Sequence, residues 1–334
     1  MRNVKRIVAM KVITRLDQLP KNRKIVLTIG NFDGLHRGHL KILRSVVMAS
    51  KAHRAVSVVM TFERHPRKIL KRQKGFGLLF FQNQKLNALE WAKIDVCLLM
   101  DFNRVRDLSK EAFLSTFIDP RKVAQVVVGY DFHFGRGRSG HFDDIKSYCR
   151  KQHIRFSQVV AVKYKNEVVS SNRIRVLIEE GNLTDAQACL GRPYSLFGKV
   201  VHGAAVGKKI GVPTANVLVQ SEIIPPDGVY EVRVYPMPKA PQNVRRRGSL
   251  LGRTAFKGLA YRGKKPFFVR GSYDNIVEVF IFEFEGNLYG SYLEIEFVKF
   301  IRKPRMVRSM GSLKKLVHSD IQSGRNKAKI NKKN

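Results

Sequence analysis

Residues 24–39 read KIVLTIGNFDGLHRGH. The run Ile25–Val26–Leu27–Thr28–Ile29 is short, continuous and apolar, and it stops at Gly30, the pattern of a strand buried on both faces. From Gly38 to Ser50 the apolar residues Leu40, Leu43, Val46 and Val47 recur at helical spacing. A buried strand that feeds a helix through a glycine-rich turn is the building unit of a parallel sheet. Glycines in such a turn let the backbone approach a phosphate chain, and the helix start offers unpaired N–H groups and the positive end of the helix dipole. His36 and His39, with Gly38 between them, can both face an anion held there, where donors stabilise developing negative charge.

The same alternation continues downstream. Strands are expected at 56–61, 96–100, 123–128 and 156–162, with helices at 83–93, from a Ser109 cap to 118, and at 143–152. This predicts a doubly wound α/β fold with helices on both faces of a parallel sheet. Ligands on such sheets bind beyond the carboxyl ends of the strands, which places Gly30, Thr61 and Gly129 onward at the site. Two short helices are expected between Ser170 and Leu190, the first stopped by Gly181 and the second capped by Thr184. Gly191–Arg192–Pro193 then breaks the chain and the period changes. Residues 196–201, 229–235, 254–261, 276–284 and 288–298 read as strands without intervening helices, an antiparallel barrel or sandwich closed by a helix near 312–322. The expected organisation is residues 10–190, 191–325 and a basic flexible tail at 326–334, with Pro236–Arg253 an exposed basic loop.

A chain of 334 residues with 44% hydrophobic and 27% charged residues is globular in composition and long enough for two domains. Lys and Arg number 63 against 26 Asp and Glu, a formal net charge of +37, which favours anionic partners and allows non-specific binding to anions. Three scattered cysteines, Cys97, Cys149 and Cys189, form neither a disulfide framework nor a zinc motif and fit a reducing, cytoplasmic setting. No apolar run reaches the roughly 18 residues of a spanning helix, so no membrane association is expected. Residues 1–9 are basic with too short an apolar core for a signal peptide, and Met10 is expected to be a sufficient start. No obligatory protein partner is expected.

His36–Arg37–Gly38–His39 matches the HxGH motif of nucleotidyltransferases, and the wider GNFDGLHRGH string resembles the bacterial bifunctional riboflavin kinase/FMN adenylyltransferase (FAD synthetase) family. The resemblance continues in order through Thr61–Pro66, Gly129–Gly135, Val169–Arg175 and the hinge Leu190–Tyr194, with Asn172 standing where the family has Thr. It implies an HxGH nucleotidyltransferase-like, Rossmann-like first domain in which His36 and His39 are catalytic. ATP would lie on Gly30, Phe32, Gly34, Gly38, Ser170, Ser171 and Arg173, and FMN against Asn31, Phe62, Pro66, Asp131 and Phe132. The FMN phosphate would attack the α-phosphorus of ATP, and pyrophosphate would leave, with Mg²⁺ offsetting charge.

Gly207–Asn216, GKKIGVPTAN, resembles the ATP-binding segment of riboflavin kinases. It implies a β-barrel kinase domain with ATP on Gly207, Lys208 and Gly211, Mg²⁺ on the hard oxygens of Thr214 and Asn216, and Glu278 as the base for the attacking ribityl hydroxyl. Tyr289–Gly290 and Arg302 also match, whereas Arg262 and Phe267 depart from the family pattern. Riboflavin, FMN and ATP are thus the expected partners, with FMN and FAD as products. Two other readings compete: an enzyme with only the adenylyltransferase half active, and a basic nucleic-acid-binding protein on a degenerate transferase scaffold, which steeply salt-dependent RNA binding would mark.

Overall fold

Strand β2 (Ile25–Ile29) is buried at all five positions, as its unbroken apolar run requires, and lies inside a parallel sheet. The fold described here is a computed structural model covering residues 9–70, 76–203, 207, 211–237, 255–263, 275–307 and 309–330, with 323–330 by backbone alone. Residues 1–8 of the basic leader expected at 1–9, most of the Pro-rich loop (238–253), Lys208, Phe267 and residues 331–334 lie outside the described residues.

The first sheet comprises β1 (Lys11–Ile13), β2, β3 (Val56–Phe62), β4 (Val96–Met100), β5 (Val123–Gly129) and β6 (Arg155–Val159), in the order β1-β4-β3-β2-β5-β6. Every pairing in it is parallel. The chain steps from β2 through β3 to β4 on one side, then returns to add β5 on the other side of β2. The switch point therefore falls between β2 and β5, where such folds hold their ligands. Helix α1 (Arg37–Ala52) packs on β2, β3 and β5. The other helices of this unit are α2 (Pro66–Ile69), α3 (Gln82–Trp91), α4 (Lys110–Phe117) and α5 (Phe142–Lys151). Ser109 caps α4 as expected, its hydroxyl accepting from Ala112 N at 3.1 Å, a contact worth about 1 kcal/mol. A two-residue hairpin, β7 (Lys163–Tyr164) and β8 (Glu167–Val168), was not expected and turns through Lys165 and Asn166, both at positive φ.

The chain divides into two compact units between Ser171 and Asn172, ahead of the expected break at Gly191. The second unit thus begins with α6 (Ser171–Glu179, first residue aside) and α7 (Leu183–Leu190). The physical reason is packing: α7 lies on strand β14 (Tyr292–Arg302), and Gly181 lies beside Pro226. The α7 cap is Asn182, whose side chain accepts from Asp185 N, and not Thr184. Asn supplies the same acceptor two residues earlier and tolerates the non-helical backbone that Gly181, at φ +79°, leads into.

The remaining strands are β9 (Ser195–Val201), β10 (Ala215–Val219), β11 (Gly228–Met237), β12 (Phe256–Arg262) and β13 (Ile276–Ile281). With β14 they form a closed antiparallel barrel in the order β10-β13-β12-β11-β14-β9. The barrel interior takes Val217, Val277, Val279, Ala260, Leu293 and Ile295, each 1% exposed or less. Helix α8 (Met310–Ile330) closes the unit through Leu313, Val317 and Ile321, one face at i, i+4, i+8 against Leu259, Phe280 and Phe282. It runs past the expected end at Gln322, so the backbone of 323–330 is helical where a frayed end was expected.

Candidate active sites

The loop after β2 is held in an unusual backbone. Phe32, Gly34 and Leu35 have φ of +51°, +76° and +35°. For Phe32 and Leu35 this costs about 1–3 kcal/mol each, offset by burial of both side chains to 2% exposure or less. Gly34 is required, because a Cβ there would stand 2.8 Å from Leu79 Cδ1. The buried Asp33 carboxylate fixes the loop by accepting from Leu79 N (3.1 Å) and Phe80 N (2.9 Å), and Ser171 Oγ donates to the Asp33 carbonyl at 2.9 Å.

This loop delivers both histidines to the start of α1. His36 is the N-cap, its ring accepting from His39 N, and the two imidazoles stack with centroids 3.7 Å apart at 19°. Phe32 meets His39 edge-on at 5.3 Å. The Nδ1 atom of His39 is buried without a hydrogen-bond partner. Burial, and secondarily His36, push its pKa well below the ordinary 6.5, so the ring stands neutral at pH 7. No acidic residue lies in the first turn of α1. A helix N-terminus, two stacked imidazoles and an orphaned ring nitrogen make a receptor for an anion, since an arriving phosphate satisfies all three.

The expected flavin residues sit at the carboxyl ends of three adjacent strands. Asn31 follows β2; Phe62 ends β3, edge-on to Phe102 at 5.4 Å; Pro66 opens α2 behind the His65 cap. Asp131 and Phe132 follow β5, Phe132 N donating to Gly129 O at 3.3 Å. Ser170 and Ser171 belong to this unit, whereas Arg173 lies on α6 in the second. One residue that sequence reasoning passed over is Lys85 of α3. It is 8% exposed, and its ammonium donates to Phe62 O at 2.7 Å and Thr61 Oγ1 at 3.3 Å. Its spacing from Ala88 and Leu89, both buried, was the available signal.

In the barrel unit, Asn216 of β10 stands directly opposite Glu278 of β13, and Glu278 is opposite Tyr261 of β12. Directly opposed residues share a face with Cβ atoms about 4.5–5.5 Å apart. The core-facing residues alternate with them, so this row lies on the outer face of the barrel. Glu278, after burial itself, raises the Tyr261 hydroxyl pKa, which places carboxylate and phenol in electrostatic reach. Asn216 is buried beneath Gly203, where a Cβ would collide with its amide. Gly207 and Val212 are joined by a 2.8 Å backbone bond, and Gly211 turns at φ +79°. Thr214, two residues before Asn216, immediately precedes the same strand. Tyr289 stacks on His202 at 4.0 Å, and Arg302 pairs with Asp320 of α8 at 2.6 Å. Arg262, the departure from the family pattern, bonds Asp227 at 2.8 Å and Pro225 O at 3.0 Å. Among the described residues no three His, Cys, Asp or Glu cluster as metal ligands.

Comparison with known proteins covers both units. Residues 18–173 match the FAD synthetase family model and residues 190–328 the riboflavin kinase model. A bifunctional riboflavin kinase/FMN adenylyltransferase of Buchnera aphidicola (subsp. Schizaphis graminum) is 30% identical over 94% of this chain and 97% of its own. The Bacillus subtilis protein of that name is 31% identical over 90% of this chain and 91% of its own. A crystal structure of a protein from Streptococcus pneumoniae, named a macrolide-efflux protein, superimposes with a TM-score of 0.79 at 27% identity, covering 96% of this chain and 99% of that one. No helix among the described residues is long and apolar enough to cross a membrane.

Proposed function

The chain belongs to the bifunctional riboflavin kinase/FMN adenylyltransferase family, and from that premise we propose how its residues divide the work. The enzyme phosphorylates riboflavin to FMN and adenylylates FMN to FAD, both with ATP. Each unit carries its own family match, so neither a single live half nor a nucleic-acid-binding scaffold is needed.

Adenylyl transfer takes place at the switch point of the parallel sheet. ATP lies on Gly30, Phe32, Gly34 and Gly38, with Ser170 and Ser171 beside its phosphates. FMN lies against Asn31, Phe62, Pro66, Asp131 and Phe132. The FMN phosphate attacks the α-phosphorus, a P–O bond forms, and pyrophosphate leaves with the electron pair of the broken bond. The attacking phosphate is already anionic, so His36 and His39 are asked for charge stabilisation and not for base catalysis. The observation that carries this reading is the orphaned, buried Nδ1 of His39 at the N-terminus of α1.

Riboflavin phosphorylation takes place on the outer face of the barrel. Glu278 accepts the proton of the ribityl hydroxyl as that oxygen attacks the γ-phosphorus of ATP, and ADP leaves. Gly207, Lys208 and Gly211 hold the phosphates. The neutral, hard oxygens of Thr214 and Asn216 would hold Mg²⁺ there. When bound, Mg²⁺ neutralises charge on the transferring phosphoryl group. Free, buried thiols at Cys97, Cys149 and Cys189 agree with a cytoplasmic setting.

The test is one incubation of the purified protein with riboflavin, ATP and Mg²⁺ followed by separation of the flavins. FMN followed by FAD is expected; riboflavin unchanged, or FMN alone, overturns the division.

A further inference from the structure

A buried lysine without a buried carboxylate bonded to it needs a reason. Lys85 is 8% exposed, and desolvation lowers its pKa. Cys97 beside it is no counter-ion, because burial raises its thiol pKa to about 12 and leaves it protonated. Asp33 is the acid within electrostatic reach, and its carboxylate is bonded to the backbone N–H groups of Leu79 and Phe80. A Met or Leu of similar length would fill this position on α3 at less desolvation cost. What the ammonium provides is two hydrogen bonds, and both go to the site. One reaches the carbonyl of Phe62, the last residue of β3. The other reaches Thr61 Oγ1, which donates in turn to the carbonyl of Asn31 at 3.3 Å.

We propose that Lys85 is the positioning residue for the flavin side of the adenylyltransferase site, tying the end of β3 at Phe62 to the loop after β2 at Asn31 through Thr61. The proposal rests on the assignment of Asn31 and Phe62 to FMN. It reaches beyond that assignment, because Lys85 and Thr61 act from behind the surface FMN touches. Without the ammonium, the Phe62 carbonyl and the Thr61–Asn31 bond lose their common donor, and the two loops are free to change their separation. The ATP side is held by a different set of bonds: Asp33 to Leu79 and Phe80, and Ser171 to Asp33. The two substrates are therefore affected unequally.

The experiment measures steady-state adenylylation of supplied FMN by the full-length protein, with riboflavin phosphorylation as internal control. Lys85→Met is expected to raise KM for FMN about tenfold, with KM for ATP within about twofold and kinase turnover unchanged. Thr61→Val keeps the side-chain volume and removes the relay, so it is expected to raise the same KM by about three- to tenfold. The double variant should be no worse than Lys85→Met, since both act on one chain of bonds. KM for FMN within about twofold of wild type in both single variants overturns the proposal, as do equal losses for FMN and ATP or strictly additive effects. His39→Ala, run in parallel, separates the two levels. If it abolishes FAD formation while both variants behave as wild type, the site stands and the proposal falls. If His39→Ala forms FAD normally, the site assignment itself falls and takes the proposal with it.

Discussion

Asn216 and Glu278 face each other across two antiparallel strands, one bearing a neutral oxygen donor and the other a carboxylate. That juxtaposition sets a metal-suited amide beside the carboxylate proposed as the base, on a rigid ladder and not on loops. Asn216→Ala or Glu278→Gln is therefore expected to lower riboflavin phosphorylation by about 10²-fold or more, while supplied FMN is still converted to FAD. Separation of the flavins after incubation checks it, and phosphorylation within about tenfold of wild type counts against the base assignment.

The stacked pair His36 and His39 predicts the converse. His36→Ala combined with His39→Ala should cut FAD formation by about 10²-fold or more while FMN accumulates from riboflavin. Isothermal titration should show the loss in ATP affinity as well. Unaltered FAD synthesis in the double variant would remove the basis for placing the ATP phosphates at α1.

The depressed pKa of His39 has a pH signature. In the unfolded chain its imidazole takes up a proton near pH 6.5, whereas the folded ring resists protonation until well below that value. The unfolded state thus binds more protons in that window, so this residue's contribution, complete above pH 6.5, is lost as pH falls through and below it. Thermal melts at pH 7.5, 6.5 and 5.5 should show a steeper decline in wild type than in His39→Asn. Parallel declines in the two proteins would contradict the buried neutral ring.

Asp33 predicts a stability effect of another kind. Asp33→Ala strips two backbone N–H groups, on Leu79 and Phe80, of their acceptor, and an orphaned buried donor costs about 1–3 kcal/mol. A total of roughly 2–4 kcal/mol is expected in urea unfolding followed on the first transition, with adenylylation lost before kinase activity. A change below about 0.5 kcal/mol, the range of surface substitutions, would show that water takes over these donors.

The position of the division at Ser171/Asn172 predicts how fragments behave. Glu294 and Glu296, both buried on β14, are met by Ser195 at 3.0 Å and Tyr235 at 3.0 Å, and α7 lies on the same strand. A fragment beginning at Asn172 should melt well above one beginning at Gly191, which loses the buried Leu183, Cys189 and Leu190 at about 1.5–3 kcal/mol for each large side chain. Equal melting temperatures would return the boundary to Gly191.

The parallel sheet was legible because its central strands are buried on both faces and read as unbroken apolar runs, Ile25–Ile29 and Val56–Phe62 among them. The barrel was less so. Strand β10 went unread because Ala215–Val219 begins inside a glycine- and proline-rich motif that looks like loop, and it is the strand that joins β9 to β13 and closes the ring. His36 and His39 were legible from residue type and spacing at a strand–helix junction, and the flavin-facing residues through the family resemblance. Lys85 was not, since a lysine on a polar helix reads as solvated surface until tertiary packing turns that face inward.

Barrel closure also imposes an order of events on synthesis. All six strands of the first sheet are present once Val159 has been made, but β9 and β11 both pair with β14, which begins only at Tyr292. Until then the nascent second unit carries two unpaired strand edges, on β9 and β11, whose common partner has yet to be made. Chains that terminate or stall before Tyr292 therefore present sticky β-edges beside a finished first unit, and chaperone demand during translation should concentrate between β9 and β14.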